Sequence, residues 1–360
     1  MRDAGLLFYC DICSNNFKFT ARTFDILSWL FFYAVLSTIL VALSPHLVSI
    51  SSYILTETFF SFFLLASLSC ITLAIQKKKA FLFILSSLLF GYTYLINETS
   101  FFIPFIIIAL VFFRNLKKTR GDMNKKLLVN LIIFLSVYLL FPVGWTIRNN
   151  ISLRPGSPTG SSRLISTLSH GAYPDFLYKK PEFKYFPYKE DPMQPEFGSS
   201  FHSFKKILWS RIKKHPFKYI TWYLFKKPYW LWSWNILQGQ GDIYIYPVIK
   251  SLYMSSYLAN ISRVIMKVIH PILLVLALTS LPLLFYTGQR KDNNESGVYQ
   301  HILLFIICLY FTAIYTIAAP WPRYSVPLRP ELYLCSIWSL QILYETYVRK
   351  KYSNNLLKTK

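Results

Sequence analysis

The feature that most restricts this chain is the spacing of its apolar residues. They gather into blocks of about 15–22 residues, the length a helix needs to cross the hydrocarbon core of a bilayer. Short basic clusters at 77–79, 114–126, 290–291 and 349–351 punctuate the blocks. Over 360 residues, 54% are hydrophobic and only 15% charged, so a soluble fold would leave much of this apolar surface uncovered. Backbone crossing a bilayer must satisfy its hydrogen bonds internally. Continuous apolar runs of this length therefore predict an all-α polytopic membrane protein of about eight transmembrane helices. The predicted spans are 24–43, 54–75, 81–96, 101–113, 127–145, 264–286, 301–319 and 331–348.

All four basic clusters abut span ends, and the positive-inside rule assigns them to the cytoplasm. With both termini inside, the alternation closes without conflict. The resulting layout is a cytoplasmic segment 1–23, five helices over 24–145, an extracytoplasmic loop 146–255, three helices over 256–348 and a basic cytoplasmic tail 349–360. The loop is rich in Gly, Pro, Ser and charge, and 157–160 and 174–195 read as coil. Within it, 201–234 alternates Lys and Arg with Trp, Tyr and Phe, the mark of segments lying at headgroup level. Pro216 and Pro228 are expected to divide it into short interfacial helices. The net charge of +23 fits lysine-rich loops touching anionic headgroups. It is split among many loops and forms no single face, so nucleic acid is not an expected partner.

This orientation collects the chemistry at the outer surface. The stretch P-W-P-R-Y-S-V-P-L-R-P over 320–330 places four prolines between two apolar runs, with Arg323 and Arg329 at the membrane boundary. Arg148, followed by Asn149, ends the fifth span. Fork-shaped guanidiniums suit phosphate at such a boundary, and they also snorkel to lipid headgroups. Arg329 reads as a snorkelling anchor. For Arg323, beside Tyr324, the two readings stand level. Glu57 lies one turn into the second span, where a carboxylate needs a cation, a proton or a metal; an outer-face arginine would serve. His46 with a single carboxylate makes no metal site, and no cofactor is expected. Cys70, Cys308 and Cys335 sit within apolar spans as packing residues, and Cys10 and Cys13 form a lone C-x-x-C. There is no phosphate-binding glycine loop and no hydrolase or zinc-protease motif. An enzyme of this kind needs a substrate already in the membrane.

Three stretches carry a resemblance: S-P-H-L-V-S-I-S-S-Y-I-L-T-E-T-F-F (44–60), W-T-I-R-N (145–149) and P-R-Y-S-V-P-L-R-P-E-L (322–332). In order and sidedness the chain resembles integral-membrane glycosyltransferases of the GT-C type. The nearest groups are the protein O-mannosyltransferases and the bacterial aminoarabinose transferases that act on lipid A. The resemblance covers roughly 24–347 and rests on short, degenerate motifs. It implies transfer of a sugar from a polyprenyl-phosphate carrier to a glycan, lipid or protein acceptor at the outer face of a bacterial cytoplasmic membrane. It also implies that Glu57, Arg148, Asn149, Arg323 and Tyr324 line the site.

The chain departs from that pattern in instructive places. Family members carry a catalytic Asp on a first outer loop, whereas this sequence opens in what looks like the approach to a later span. Asp3 and Asp11 are predicted cytoplasmic, Asn97-Glu98 stands where relatives often have Arg-Pro, and Pro142 lies three residues before Trp145. The expectation is an N-terminally truncated member that keeps binding features and lacks the base. Two alternatives follow: a non-enzymatic relic or partner subunit of the same fold, and a transporter of lipid-linked glycans. The transporter is the weaker, because the charges sit at span ends and not at the midplane.

Overall fold

The computed structural model describes residues 32–53, 55–119, 125–153, 160–178, 190–236, 242–246, 248–288 and 295–358. Cys10, Cys13, Asp3, Asp11 and the first part of the predicted 24–43 span lie outside these residues. Among the described residues the ordered elements are all helical.

The chain enters through α1 (Phe32–Leu43), bent by 57° into α2 (Pro45–Ser51). Pro45 sits at the first turn of α2, where its missing N–H costs nothing. Then come α3 (Thr56–Lys77) and α4 (Ala80–Ile96), joined by a tight turn that Lys78 makes possible with a left-handed φ of 54°. After a 3-10 turn at Glu98–Ser100 follow α5 (Ile103–Thr119) and α6 (Lys125–Ser152). The loop region holds α7 (Gly160–Gly171), α8 (Gln194–Phe197), α9 (Phe201–Lys214), α10 (Pro216–Thr221), α11 (Lys227–Leu231) and α12 (Leu252–Ser255). The chain closes with α13 (Tyr257–Gly288), α14 (Glu295–Ile317), a 3-10 segment Pro322–Leu328, and α15 (Arg329–Lys358).

Each of the eight predicted spans has a helix at its position. Among the described residues, five helical stretches are long and apolar enough to cross a membrane: Thr56–Lys77, Glu98–Asn115, Lys125–Ser152, Tyr257–Leu283 and Gln300–Ile317. The bent pair α1–α2 raises the number to six. At 17 residues, α4 reaches only about 26 Å along its axis. The long α15 carries too much polarity, but the protein encloses its first turns: Arg329, Glu331, Ser336 and Ser339 are all buried.

Apolar packing divides the molecule into communicating clusters. Leu64, Ile71, Phe90, Phe134 and Phe311 join α3, α4, α6 and α14. Met266, Leu273, Tyr333 and Ile337 join α13 to α15. A third cluster, built on Tyr173, Phe197, Trp222 and Ala318, fastens the loop region to the end of α14. In that region the structure corrects two expectations. Of the coil expected over 157–160 and 174–195, residues 157–159 and 179–189 lie outside the described residues, while Gly160 opens α7, Pro174–Phe176 is a 3-10 turn and Gln194 begins α8. Pro228 does not divide its helix, because the wider π turn Trp222–Lys226 precedes it and carries the backbone straight into α11.

Candidate functional site

The site forms where the start of α3 meets the segment between α14 and α15. An extended Leu55 starts α3, so Glu57 falls in its first turn, nearly enclosed. The prolines of 320–330 prevent α14 and α15 from fusing and wind Pro322–Leu328 into a 3-10 turn. That turn aims Arg323 at α3. Arg323 Nη2 lies 2.9 Å from Glu57 Oε1, and Thr56 Oγ1 donates to Glu57 Oε2 at 3.3 Å. The Arg323 side chain keeps 28% of its surface exposed, while its Nε is buried without a hydrogen-bond partner.

Aromatic residues floor this pair. The Tyr324 ring stacks on Tyr315 with centroids 4.9 Å apart, and the Arg323 guanidinium lies 5.6 Å from the Tyr324 ring centre. Burial raises the Tyr324 phenol above its usual range, with the Arg323 charge pulling the other way. The Tyr315 hydroxyl accepts from Asn97 Nδ2 at 3.3 Å and lies 3.4 Å from Thr99 Oγ1. The Asn97–Ser100 turn is thereby tied to the site. Glu98 within it faces Arg163 of α7 at 3.6 Å, both well exposed.

Of the five residues singled out from sequence, Glu57, Arg323 and Tyr324 converge. Arg148 and Asn149 do not join them by any described contact. Arg148 is exposed at the end of α6, donates to Asn149 Oδ1 at 3.0 Å and lies 5.1 Å from the Trp145 ring centre.

Arg329 overturns its reading as a snorkelling anchor: it is fully enclosed. Its Nη1 donates to His46 Nδ1 at 2.7 Å, and its guanidinium lies 5.6 Å from the Trp234 ring centre. The other ring nitrogen of His46 donates to the Trp234 carbonyl at 2.8 Å and faces that of Asp242 at 3.2 Å. The loop region folds back over the arginine and shuts it off from headgroups. Arg329 thus pins α15 to α2, and with them the two stretches that deliver Arg323 and Glu57.

Sequence reasoning missed Tyr315 and Lys227. Tyr315 is one tyrosine among 26, and its nine-residue separation from Tyr324 signals nothing until α14 ends. Lys227 is fully enclosed, with Nζ donating to the carbonyls of Ala318 at 2.9 Å and Ile317 at 3.3 Å. Nζ also lies 3.8 Å from the Tyr223 ring centre. These neighbours suit an ammonium, yet enclosure outweighs them and pulls the group down to about 6. Beside it, α7 presses so closely on the end of α14 that a Cβ on Gly171 would lie 1.7 Å from the Ala318 carbonyl oxygen. Among the described residues no group of three His, Cys, Asp or Glu side chains is placed to hold a metal ion.

Chemically, the arrangement offers a guanidinium oriented by a carboxylate, partly open, and backed by aromatic rings. Both Glu57 oxygens are engaged within the protein, one by Arg323 and the other by Thr56. Fold and site together define a multi-pass helical membrane protein with an Arg323–Glu57 ion pair between α3 and the α14–α15 connection. Comparison with family models, with curated proteins and with solved structures finds no match to this chain.

Proposed function

We propose that this protein belongs to the polyprenyl-phosphate-dependent membrane glycosyltransferases and binds a lipid-phosphate-linked sugar at the outer face of a bacterial cytoplasmic membrane. In this reading α4 and α15 cross the membrane with the other six helices, both termini face the cytoplasm, and Arg323 holds the lipid phosphate. The observation that carries the reading is the Glu57–Arg323 pair, because two motifs of the resemblance, far apart in sequence, meet there in one ion pair. An oriented arginine at the interface is the group expected to stabilise a departing phosphate. Tyr324 and Tyr315 supply a face for the sugar or for the first isoprene unit. Arg148, exposed at the end of α6, is available to a headgroup approaching from that side.

The test is binding of polyprenyl phosphate to the full chain in lipid nanodiscs. Arg323→Ala is expected to weaken binding at least tenfold and Arg148→Ala less. Unchanged binding in both variants overturns the reading.

A second reading is favoured by one observation: among the described residues Glu57 is the one acidic residue of the cluster, and it is committed to Arg323. The chain then binds the carrier as a partner subunit of an intact enzyme. Sugar transfer by the purified chain alone excludes this second reading, and co-purification of an active transferase supports it.

A further inference from the structure

We infer that residues 201–229 form a docking surface for a layer of anionic phospholipid headgroups. The inference rests on the membrane reading of the chain and is independent of sugar transfer.

The first observation is charge. Between Glu196 and Asp242 there is no acidic residue; of the eight Lys or Arg, Arg211 pairs with Asp191, Lys226 pairs with Asp175 and Lys227 is enclosed, which leaves Lys205, Lys206, Lys213, Lys214 and Lys218 exposed. The second is how the fold distributes them. α9 buries Phe204 and Ile207 against the cluster around Phe197 and Trp222. With that face committed, the helical repeat turns the stripe Phe201, Lys205, Trp209 and Lys213 outward at four-residue spacing. Lys205 Nζ lies 5.9 Å from the Phe201 ring centre and Lys213 Nζ 5.6 Å from that of Trp209, so the lysine stems run along the rings. Lys206 and Lys214 form a second exposed row.

The third observation is an apolar ridge. Beyond the His215-Pro216 break, Phe217, Ile220, Leu224 and Phe225 all point outward, Phe217 with 84% of its surface exposed. The fourth is position. Trp222 Nε1 donates to the Gly171 carbonyl at 2.9 Å and Lys227 to that of Ala318, fastening the segment to α7 and to the end of α14. The surface is held where an apolar helix leaves the hydrocarbon, which is headgroup level.

These observations together select one occupant. A nucleic acid or an acidic protein answers the lysine rows and leaves the ridge uncovered. A neutral bilayer answers the ridge and leaves the lysines without counter-charge. An anionic bilayer surface takes both: the ridge enters the acyl boundary and the lysines meet phosphates.

The test reconstitutes the full chain in nanodiscs of phosphatidylcholine alone, or with about one third phosphatidylglycerol, and reads amide hydrogen exchange across 201–229. Exchange is expected to be several-fold slower in the anionic discs. High salt should abolish the difference. Each lysine near an anionic surface contributes about fivefold to partitioning. The variant K205Q/K206Q/K213Q/K214Q should therefore exchange alike in both discs, and F217S/F225S should lose protection in both. Because all four lysines are exposed, the quadruple variant should keep the wild-type thermal midpoint; if it does not, the salt titration on the wild-type chain decides. Equal exchange of the wild-type chain in the two lipids overturns the inference. So does equal protection in neutral discs by an added oligonucleotide or acidic peptide.

Discussion

Arg329 Nη1 lies 2.7 Å from His46 Nδ1, with both side chains fully buried, joining residues 283 positions apart. A guanidinium only donates, so His46 must accept at Nδ1 and carry its proton on Nε2, which faces the carbonyls of Trp234 and Asp242. The imidazole is locked neutral by its partners. His46→Ala removes the acceptor and strands a buried cation, so it should lower stability by about 3 kcal/mol or more. Replacing both partners with apolar residues, His46→Leu with Arg329→Met, should recover most of that loss. A double-mutant cycle on thermal midpoints in detergent checks this, and additive losses would contradict the pairing.

The Glu57–Arg323 pair separates stability from binding. Glu57→Ala leaves the guanidinium without its orienting carboxylate and should cost about 1–3 kcal/mol. The exchanged pair, Glu57→Arg with Arg323→Glu, should regain stability, because the ion pair re-forms. It should not regain binding of polyprenyl phosphate, because the cation then projects from α3 and not from the tyrosine-backed turn. Restored binding in the exchanged variant would show that charge alone matters.

Gly171 is required by a backbone approach. A Cβ there would lie 1.7 Å from a carbonyl oxygen, and backbone cannot rotate away as a flexible side chain can. Gly171→Ala should cost about 3 kcal/mol by forcing α7 off the end of α14. Gly144→Ala, with nothing within 4 Å of the added carbon, is the matched control and should be nearly silent. Comparing the two thermal midpoints tests the approach.

Lys227 makes stability depend on pH with a definite sign. Enclosure lowers it to about 6 from the ordinary lysine value of 10.5. Between those values the unfolded chain binds a proton that the folded chain does not. Stability therefore rises with pH across this window, is complete above the unfolded value, and is lost as pH falls towards about 6. The slope is at most about 1.4 kcal/mol per pH unit. Wild-type thermal midpoints should climb between pH 6.5 and 9, and Lys227→Met should remove this part of the climb. Equal slopes in the two proteins would mean that Lys227 stays charged in the fold.

How far these features could be read in advance depends on the range of the interactions that make them. Glu57 and Arg323 were visible because each sits at the end of an apolar block, where charge is costly and therefore informative. Arg329 occupies the same sequence context as Arg323, six residues away, and its fate is the opposite. What separates them is Trp234 lying over the Arg329 guanidinium and closing on its partner His46, a contact that leaves no local trace. Lys227 is one of a Lys-Lys pair in a lysine-rich stretch, and Lys226 beside it is exposed and pairs with Asp175. No pattern in the sequence says which of the two turns inward.

Helical character, the positions of the apolar helices and the short polar stretches between them are written in the order of residues alone. Apolar block length and proline placement act locally, through the hydrocarbon thickness and the backbone's need for internal hydrogen bonds. Which charges meet is set by folding, because burial and pairing are settled by surfaces that distant segments bring together. It joined Glu57 to Arg323, enclosed Arg329 behind His46, drew Lys227 under the end of α14, and left Arg148 outside the cluster.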